Sequence, residues 1–355
     1  MNRRNTLLLC ALGLLLITVL ALLQYSRIRE YSSDQFLMDT LISIKVYGRN
    51  PETLKKAVAE AYAEMHRIAE LADGFPQPGT AAYASSDVCR INAQAGKQPV
   101  RVDSDIMAML VLAKEYNQLS QGAFDVTIGP LMELWGFGGK NPQVPQAARI
   151  RTALPLVGSD KLVLNEHDRT VFLTKGGMKI DLGAMAKGYA TEKAMQILKK
   201  NGIEKALIDA GGNIRTSGRN AHDAPWKIGI KDPRKSDAIA AVLQLEDASA
   251  VTSGDYYRYF EAGGKRYHHI LDPRSGYPAN SNMSVTVVTK DAGLADILST
   301  VFFVLPPEKA LEMAGKIGGV ELFLITADRR ILHSSSLKGR IEVRPGDSYR
   351  YDQGR

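Results

Sequence analysis

Cysteine is nearly missing from this chain: there are two in 355 residues. Cys10 lies inside an apolar N-terminal run, so Cys89 stands alone in the remainder, and neither a disulfide framework nor a cysteine-built metal site can be assembled. The basic side chains lack organisation too. Lys and Arg outnumber Asp and Glu by 45 to 38, for a net charge of +7, but they are scattered and no aromatics run among them, which argues against a nucleic-acid-binding face. No internal repeat, low-complexity block or composition break marks an interdomain linker. Nor does any Ser-His-Asp or Cys-His spacing announce a nucleophilic triad.

What is present starts at the N-terminus. Thr6 to Leu23 is an apolar run of about 18 residues, close to the length that crosses a bilayer, and Arg3 and Arg4 precede it. It reads as an uncleaved anchor with its short end inside, since it is longer than a signal-peptide core and no small-x-small site follows. The division expected is a membrane anchor and juxtamembrane segment over 1–30, a catalytic domain over 31–340 and a polar tail over 341–355. The hydrophobic and charged fractions, 45% and 23%, are those of a globular protein with a sizeable core.

Periodicity predicts a strand over Leu41–Tyr47, a helix over Glu52–Asp73 and a second helix from Asp103 or Ser104 to Gly122, with a polar connection over 74–96. Short strands follow at Leu162–Leu164, Val171–Thr174, Lys179–Asp181 and Ala206–Asp209, with a helix over Ala184–Asn201 among them. Further strands are expected at Trp226–Lys231, Ala241–Leu245, Ser249–Thr252, Tyr267–Leu271 and Ser284–Val288. A helix from Asp291 towards Val304, another helix and a strand over Val320–Ile325 complete the pattern. The class is α+β, a single mixed α/β domain.

Polar residues concentrate in a few segments. Asp296 and Thr300 are four apart on an expected helix, so a carboxylate and a hydroxyl share a face; that suits a hard cation such as Mg²⁺, although taken alone the pair reads more readily as Asp296 capping a turn and Thr300 packing among Ala295, Leu298 and Val301. In Ile180–Gly188 a strand ends at Asp181 and a turn with Gly183 and Gly188 feeds a helix. It is not a P-loop and lacks GxGxxG spacing, so it permits close backbone approach to a ligand, or merely close helix packing. His268 and His269 precede an Asp-Pro-Arg-Ser-Gly turn, where a titratable base would be useful. Gly211-Gly212-Asn213 reads either as a tight turn or as ligand-facing backbone.

In order, Met38-Asp39-Thr40, Asp87–Asn92, Gly122-Ala123-Phe124-Asp125 through Gly138, Ile180–Tyr189, Asp209–Asn213, His269–Gly276 and Ala295–Thr300 resemble the ApbE family of FAD:protein FMN transferases, across nearly all the chain beyond the anchor. The resemblance implies an Mg²⁺-dependent enzyme with FAD as substrate, which transfers FMN to a Thr or Ser hydroxyl of a partner protein and releases AMP. It places flavin contacts on Met38, Ala123, Phe124, Asp125, Asp181, Lys187 and Ile270. The implied metal ligands are the Ala184 carbonyl, Asp296 and Thr300, with Ser299 close by, and His269 and Lys187 are the implied catalytic pair. The pattern departs at Asp39, where many members have glycine, and over Phe75–Tyr83, where Phe75 and Tyr83 are candidates for a ring contact. Hydrolysis of FAD to FMN and AMP, or FAD carriage without catalysis, are the alternatives. No Ser- or Asp-Gly-Ala-Thr acceptor segment occurs here, since Gly122-Ala123 runs into Phe124, so the acceptor is expected in another chain. With the anchor it is expected to be a periplasm-facing subunit of a membrane electron-transfer complex, at the outer face of the inner membrane.

Overall fold

The computed structural model describes residues 28–137, 142–344, 346 and 348–351. The expected anchor lies outside the described residues, and among those described no helix is long and apolar enough to cross a membrane.

A nine-stranded sheet organises the chain: β1 (Arg29–Leu37), β2 (Thr40–Gly48), β3 (Lys205–Ala210), β4 (Asn213–Ser217), β5 (Ser249–Gly254), β6 (Asn282–Thr289), β7 (Glu321–Thr326), β8 (Arg330–His333) and β9 (Arg350–Tyr351). Their order in space is their order in sequence. Neighbours from β1 to β8 are antiparallel, and β9 joins β8 in parallel.

Both faces of the central strands are covered, and the side chains divide between them with period two. Val285 and Val287 of β6 and Leu322 and Leu324 of β7 pack into the core under the helices α1 (Pro51–Ala72), α2 (Ser104–Leu119), α3 (Ala186–Lys200), α4 (Ala292–Val304) and α5 (Pro307–Lys316). Val288, Phe323 and Ile325 face the other way, against Trp226, Leu243 and Leu245 of a three-stranded sheet formed by 226–231, 239–245 and 341–343. The strands are therefore apolar without strict alternation, as sheets buried on both sides require.

Several boundaries differ from the sequence reading. The juxtamembrane segment expected to reach residue 30 already enters the domain at Arg29, where the edge strand β1 begins; its alternate side chains are half-buried and its Ser33 carbonyl accepts from the Tyr62 hydroxyl at 2.6 Å. The polar tail is likewise anchored where it is described, for Ile341–Val343 pairs with 239–245, and the buried Tyr349 hydroxyl donates to Asp232 at 2.6 Å. Both are edge strands, paired through the backbone on one side only, and 341–343 is too short for its alternating Ile341 and Val343 to signal a strand. The 74–96 connection contains two short helices, Ala81–Ser85 and Asp87–Ala93. Residues 179–181 make only an isolated bridge, with Ile180 held by the Asn92 side chain, and the strand expected over 267–271 breaks at His269 and Ile270.

Candidate active site

Successive hairpins of an antiparallel meander turn at alternate ends, so the connections 38–39, 211–212 and 255–281 leave the sheet on one side. At the first, Met38 and Asp39 have φ of 52° and 59°, the left-handed pair of a two-residue hairpin turn. Met38 packs, half-buried, against the helix-side core. Beside it, Gly211 and Gly212 have φ of 61° and 92°, and a Cβ on Gly211 would lie 2.1 Å from the Thr40 hydroxyl, so this turn requires glycine on both conformation and space.

The turn into α3 is fixed from behind. The Asp181 N–H donates to the Val126 carbonyl at 2.8 Å, and the Asp181 carboxylate accepts from the Gly183 N–H at 2.7 Å. Burial raises the Asp181 pKa, opposed by that N–H and by the charge of Arg258. Ala184 is half-buried in the same turn, and Lys187 follows in the first turn of α3. Next to it the Gly188 N–H donates to Asp296 at 2.8 Å. A Cβ on Gly188 would meet the Ala292 carbonyl at 2.3 Å and the Asp296 Cβ at 2.5 Å, so close packing of α3 on α4 and access to the carboxylate have one cause.

Asp296 is only 7% exposed. Burial raises its pKa, against the Lys187 charge and the Gly188 N–H. Asn213 faces the same carboxylate. That side chain is fully buried, yet neither its amide nitrogen nor its oxygen completes a hydrogen bond within normal geometry. Buried amides are rarely left so. On the same helix the Ser299 hydroxyl donates to the Asp296 carbonyl at 2.8 Å and pairs with Ser253, while Thr300 is half-buried.

His269 stands where its strand breaks. Its Nδ1 lies 3.2 Å from the Arg258 carbonyl; a carbonyl only accepts, so Nδ1 carries the proton and the Nε2 lone pair is free. Burial first, then the charges of Arg258, His268 and Lys187, push the His269 pKa down to about 3, which keeps the ring neutral. His268 differs: buried, 2.7 Å from the Ala279 carbonyl and edge-on to Phe303, it supports the loop. Ile270 is buried beside it.

The Ala123-Phe124-Asp125 run lies in the core, and the Asp125 carboxylate is fully engaged. It accepts from the Thr127 N–H and hydroxyl at 2.8 and 2.6 Å, from the Ser159 N–H at 3.0 Å and from the Asn117 amide at 3.2 Å. What this run offers a ligand is its main chain. Phe75 presents a ring 60% exposed, and Tyr83 is half-buried.

Asp181, Lys187, His269 and Asp296 thus share one electrostatic neighbourhood. Two further members escaped the sequence reading. Arg258, between Asp181 and His269 and donating to Asp39 at 3.2 Å, is an arginine in an irregular loop with no spacing to flag it. Asn213 was visible only as part of a turn; its side chain, rather than the turn's backbone, is what faces Asp296. Among the described residues no group of three or more His, Cys, Asp or Glu side chains gathers. A carboxylate with carbonyl and hydroxyl oxygens is a donor set of the kind a hard cation takes, and the buried Asn213 amide beside the carboxylate has polar atoms without a partner.

The ApbE family model matches residues 38–324. A Klebsiella pneumoniae protein named FAD:protein FMN transferase is 38% identical over 322 residues, spanning 90% of this chain and 96% of that protein. One of the same name from Treponema pallidum is 34% identical, over 90% of each chain. Among solved structures, the ApbE protein of Thermotoga maritima aligns with a TM-score of 0.79 at 36% identity, covering 88% of this chain and 99% of that one. The flavin transferase ApbE of Vibrio cholerae aligns with a TM-score of 0.76 at 27% identity, with the same coverage. With its mixed α/β fold and its site residues placed on the matched region, the chain belongs to the ApbE family.

Proposed function

We propose that this chain is an Mg²⁺-dependent FAD:protein FMN transferase whose acceptor is a Thr or Ser hydroxyl on another protein. The enzyme class rests on family membership and on the named relatives. The observation that carries the finer reading is the pairing of Asp296, buried beside an unpartnered amide, with a neutral His269 set among cations.

The Asp296 carboxylate, the Ala184 carbonyl and the Thr300 hydroxyl, with Ser299 behind them, would hold the cation. When bound, Mg²⁺ supplies charge neutralisation to the pyrophosphate and to departing AMP. Lys187 and Arg258 attract and orient the phosphates. The Met38 side chain and the main chain at Ala123, Phe124 and Ile270, with the loop held by Asp125 and the turn at Asp181, form the wall for the flavin half. The acceptor hydroxyl attacks the phosphorus bearing the ribityl oxygen, the bond from that phosphorus to the bridging oxygen breaks, and AMP leaves with that oxygen. His269 Nε2 takes the hydroxyl proton.

The reading is tested by incubating the full chain in detergent with FAD, Mg²⁺ and candidate acceptors, then following AMP and flavin fluorescence on a denaturing gel. AMP with a labelled acceptor supports transfer. AMP with free FMN assigns hydrolysis instead, unchanged bound FAD a carrier, and stoichiometric label on the enzyme's own chain overturns the separate acceptor.

The sequence of the first residues supports an inner-membrane location with the catalytic domain in the periplasm, and hence a periplasm-facing subunit of a membrane electron-transfer complex as acceptor. Cell fractionation checks this: the full chain is expected with the inner membrane and accessible to protease from the periplasm. Recovery as soluble cytoplasmic protein would rule it out.

A further inference from the structure

Behind Asp296 lies a second polar contact between the same three elements. On α3, Gly188 and Glu192 are one turn apart on one face; on α4, so are Asp296 and Ala292; on β4, Asn213 and Arg215 project to the same side. The first level joins Gly188, Asp296 and Asn213. The second joins Glu192, Ala292 and Arg215: the Ala292 N–H donates to Glu192 Oε2 at 3.1 Å, and Arg215 Nε donates to that same oxygen at 2.8 Å. Arg215 Nη1 also donates to the Thr216 carbonyl at 2.6 Å. The Arg215 and Glu192 side chains are 6% and 13% exposed.

Stability does not explain such a pair. Desolvating two charges offsets most of their attraction, and well-packed apolar residues of similar size commonly do as well or better. What an apolar pair cannot reproduce is the acceptor for the first N–H of α4. That bond sets how far α4 is advanced along α3, and Asp296 sits one turn along from it. We propose that the Glu192–Arg215 pair is a positioning bridge: Arg215 orients the Glu192 carboxylate, and Glu192 holds the α4 start so that Asp296 presents its free oxygen to the cation. Neither residue touches the substrate or the cation. The inference rests on Asp296 being a cation ligand, and partners of this kind typically change metal affinity by about 10- to 100-fold.

The test uses the full chain in detergent and Mn²⁺ as probe, with binding read from the loss of the free-ion paramagnetic resonance signal, with and without FAD, and with melting measured in parallel. E192Q/R215M removes both charges but leaves an oxygen for the Ala292 N–H; E192L/R215M removes the oxygen as well. The first is expected within about threefold of the wild-type affinity and the second at least about tenfold weaker, with similar melting temperatures. A292P isolates the same bond independently, because proline lacks the N–H yet suits the first helical position after the extended Asp291, and it too should bind Mn²⁺ at least about tenfold more weakly. Equal Mn²⁺ affinity in the two double variants, or wild-type affinity in A292P, overturns the bridge alone. Absence of Asp296-dependent Mn²⁺ binding in the wild-type chain overturns the cation reading, and the bridge with it.

Discussion

Asp296→Ala is expected to lower FMN transfer at limiting Mg²⁺ by about 100-fold or more, since removing a charged ligand should exceed the effect of removing a ligand's support. Folding should respond in the opposite sense. Burial raises the Asp296 pKa above its ordinary 3.8, so the folded state holds the proton more tightly than the unfolded chain does. Stability from this group is therefore complete below about pH 4 and is lost as pH rises through the raised value. Asp296→Asn keeps the shape and an acceptor for the Gly188 N–H while removing that loss. In metal-free buffer its melting temperature should match the wild type near pH 4 and exceed it near pH 7. Saturating Mg²⁺ should raise the wild-type melting temperature only, by mass action on the folded state. Normal activity of Asp296→Ala at limiting Mg²⁺ would refute the ligand assignment. A wild-type melting advantage over Asp296→Asn in metal-free buffer near pH 7 would refute the account of its burial.

The parts of this molecule legible from sequence are those in which side chains, rather than backbone, carry the signal. Helices α1, α3 and α4 were found within two residues at most ends because apolar spacing and cap residues act locally; Asp103 caps α2 through the Asp105 N–H at 2.8 Å, as expected. β1 and the pairing of 341–343 were missed for the converse reason, that an edge strand is held by backbone pairing while much of its side-chain surface stays in solvent: β1 pairs with β2 across a two-residue turn, and 341–343 with the remote strand 239–245. The same distinction runs through the site. Asp296 and Thr300 share one helical face and could be paired on spacing alone. At Gly188 the close packing of α3 on α4 and the bond from its N–H to Asp296 have one cause, its missing Cβ. Asn213, at the start of β4, and Arg258, in the loop after β5, lie about 45 residues apart in sequence, and only the meander's alternating turns bring them to one end of the sheet.

His269→Gln is expected to reduce transfer by about 10²- to 10⁴-fold, the usual contribution of a positioned base, while the KM for FAD stays within about threefold, because the imidazole's task is the acceptor proton rather than phosphate binding. Glutamine keeps a donor for the Arg258 carbonyl but offers no basic lone pair. The same variant reports on pH. In the folded chain His269 titrates at about 3 rather than 6.5, burial being the main cause and the neighbouring Arg258, His268 and Lys187 adding to it. Between those values the unfolded chain binds a proton that the folded chain refuses. Stability from the neutral ring is therefore present above about pH 6.5 and is lost as pH falls towards 3. Melting of the wild type should drop on acidification from about pH 7 to pH 5, and His269→Gln should show a smaller drop, with His268, whose pKa burial also lowers, accounting for part of what remains. A variant that transfers FMN at the wild-type rate would remove His269 from the chemistry. One that transfers slowly but shows the wild-type acid sensitivity would leave the base assignment standing and locate the acid-sensitive group elsewhere.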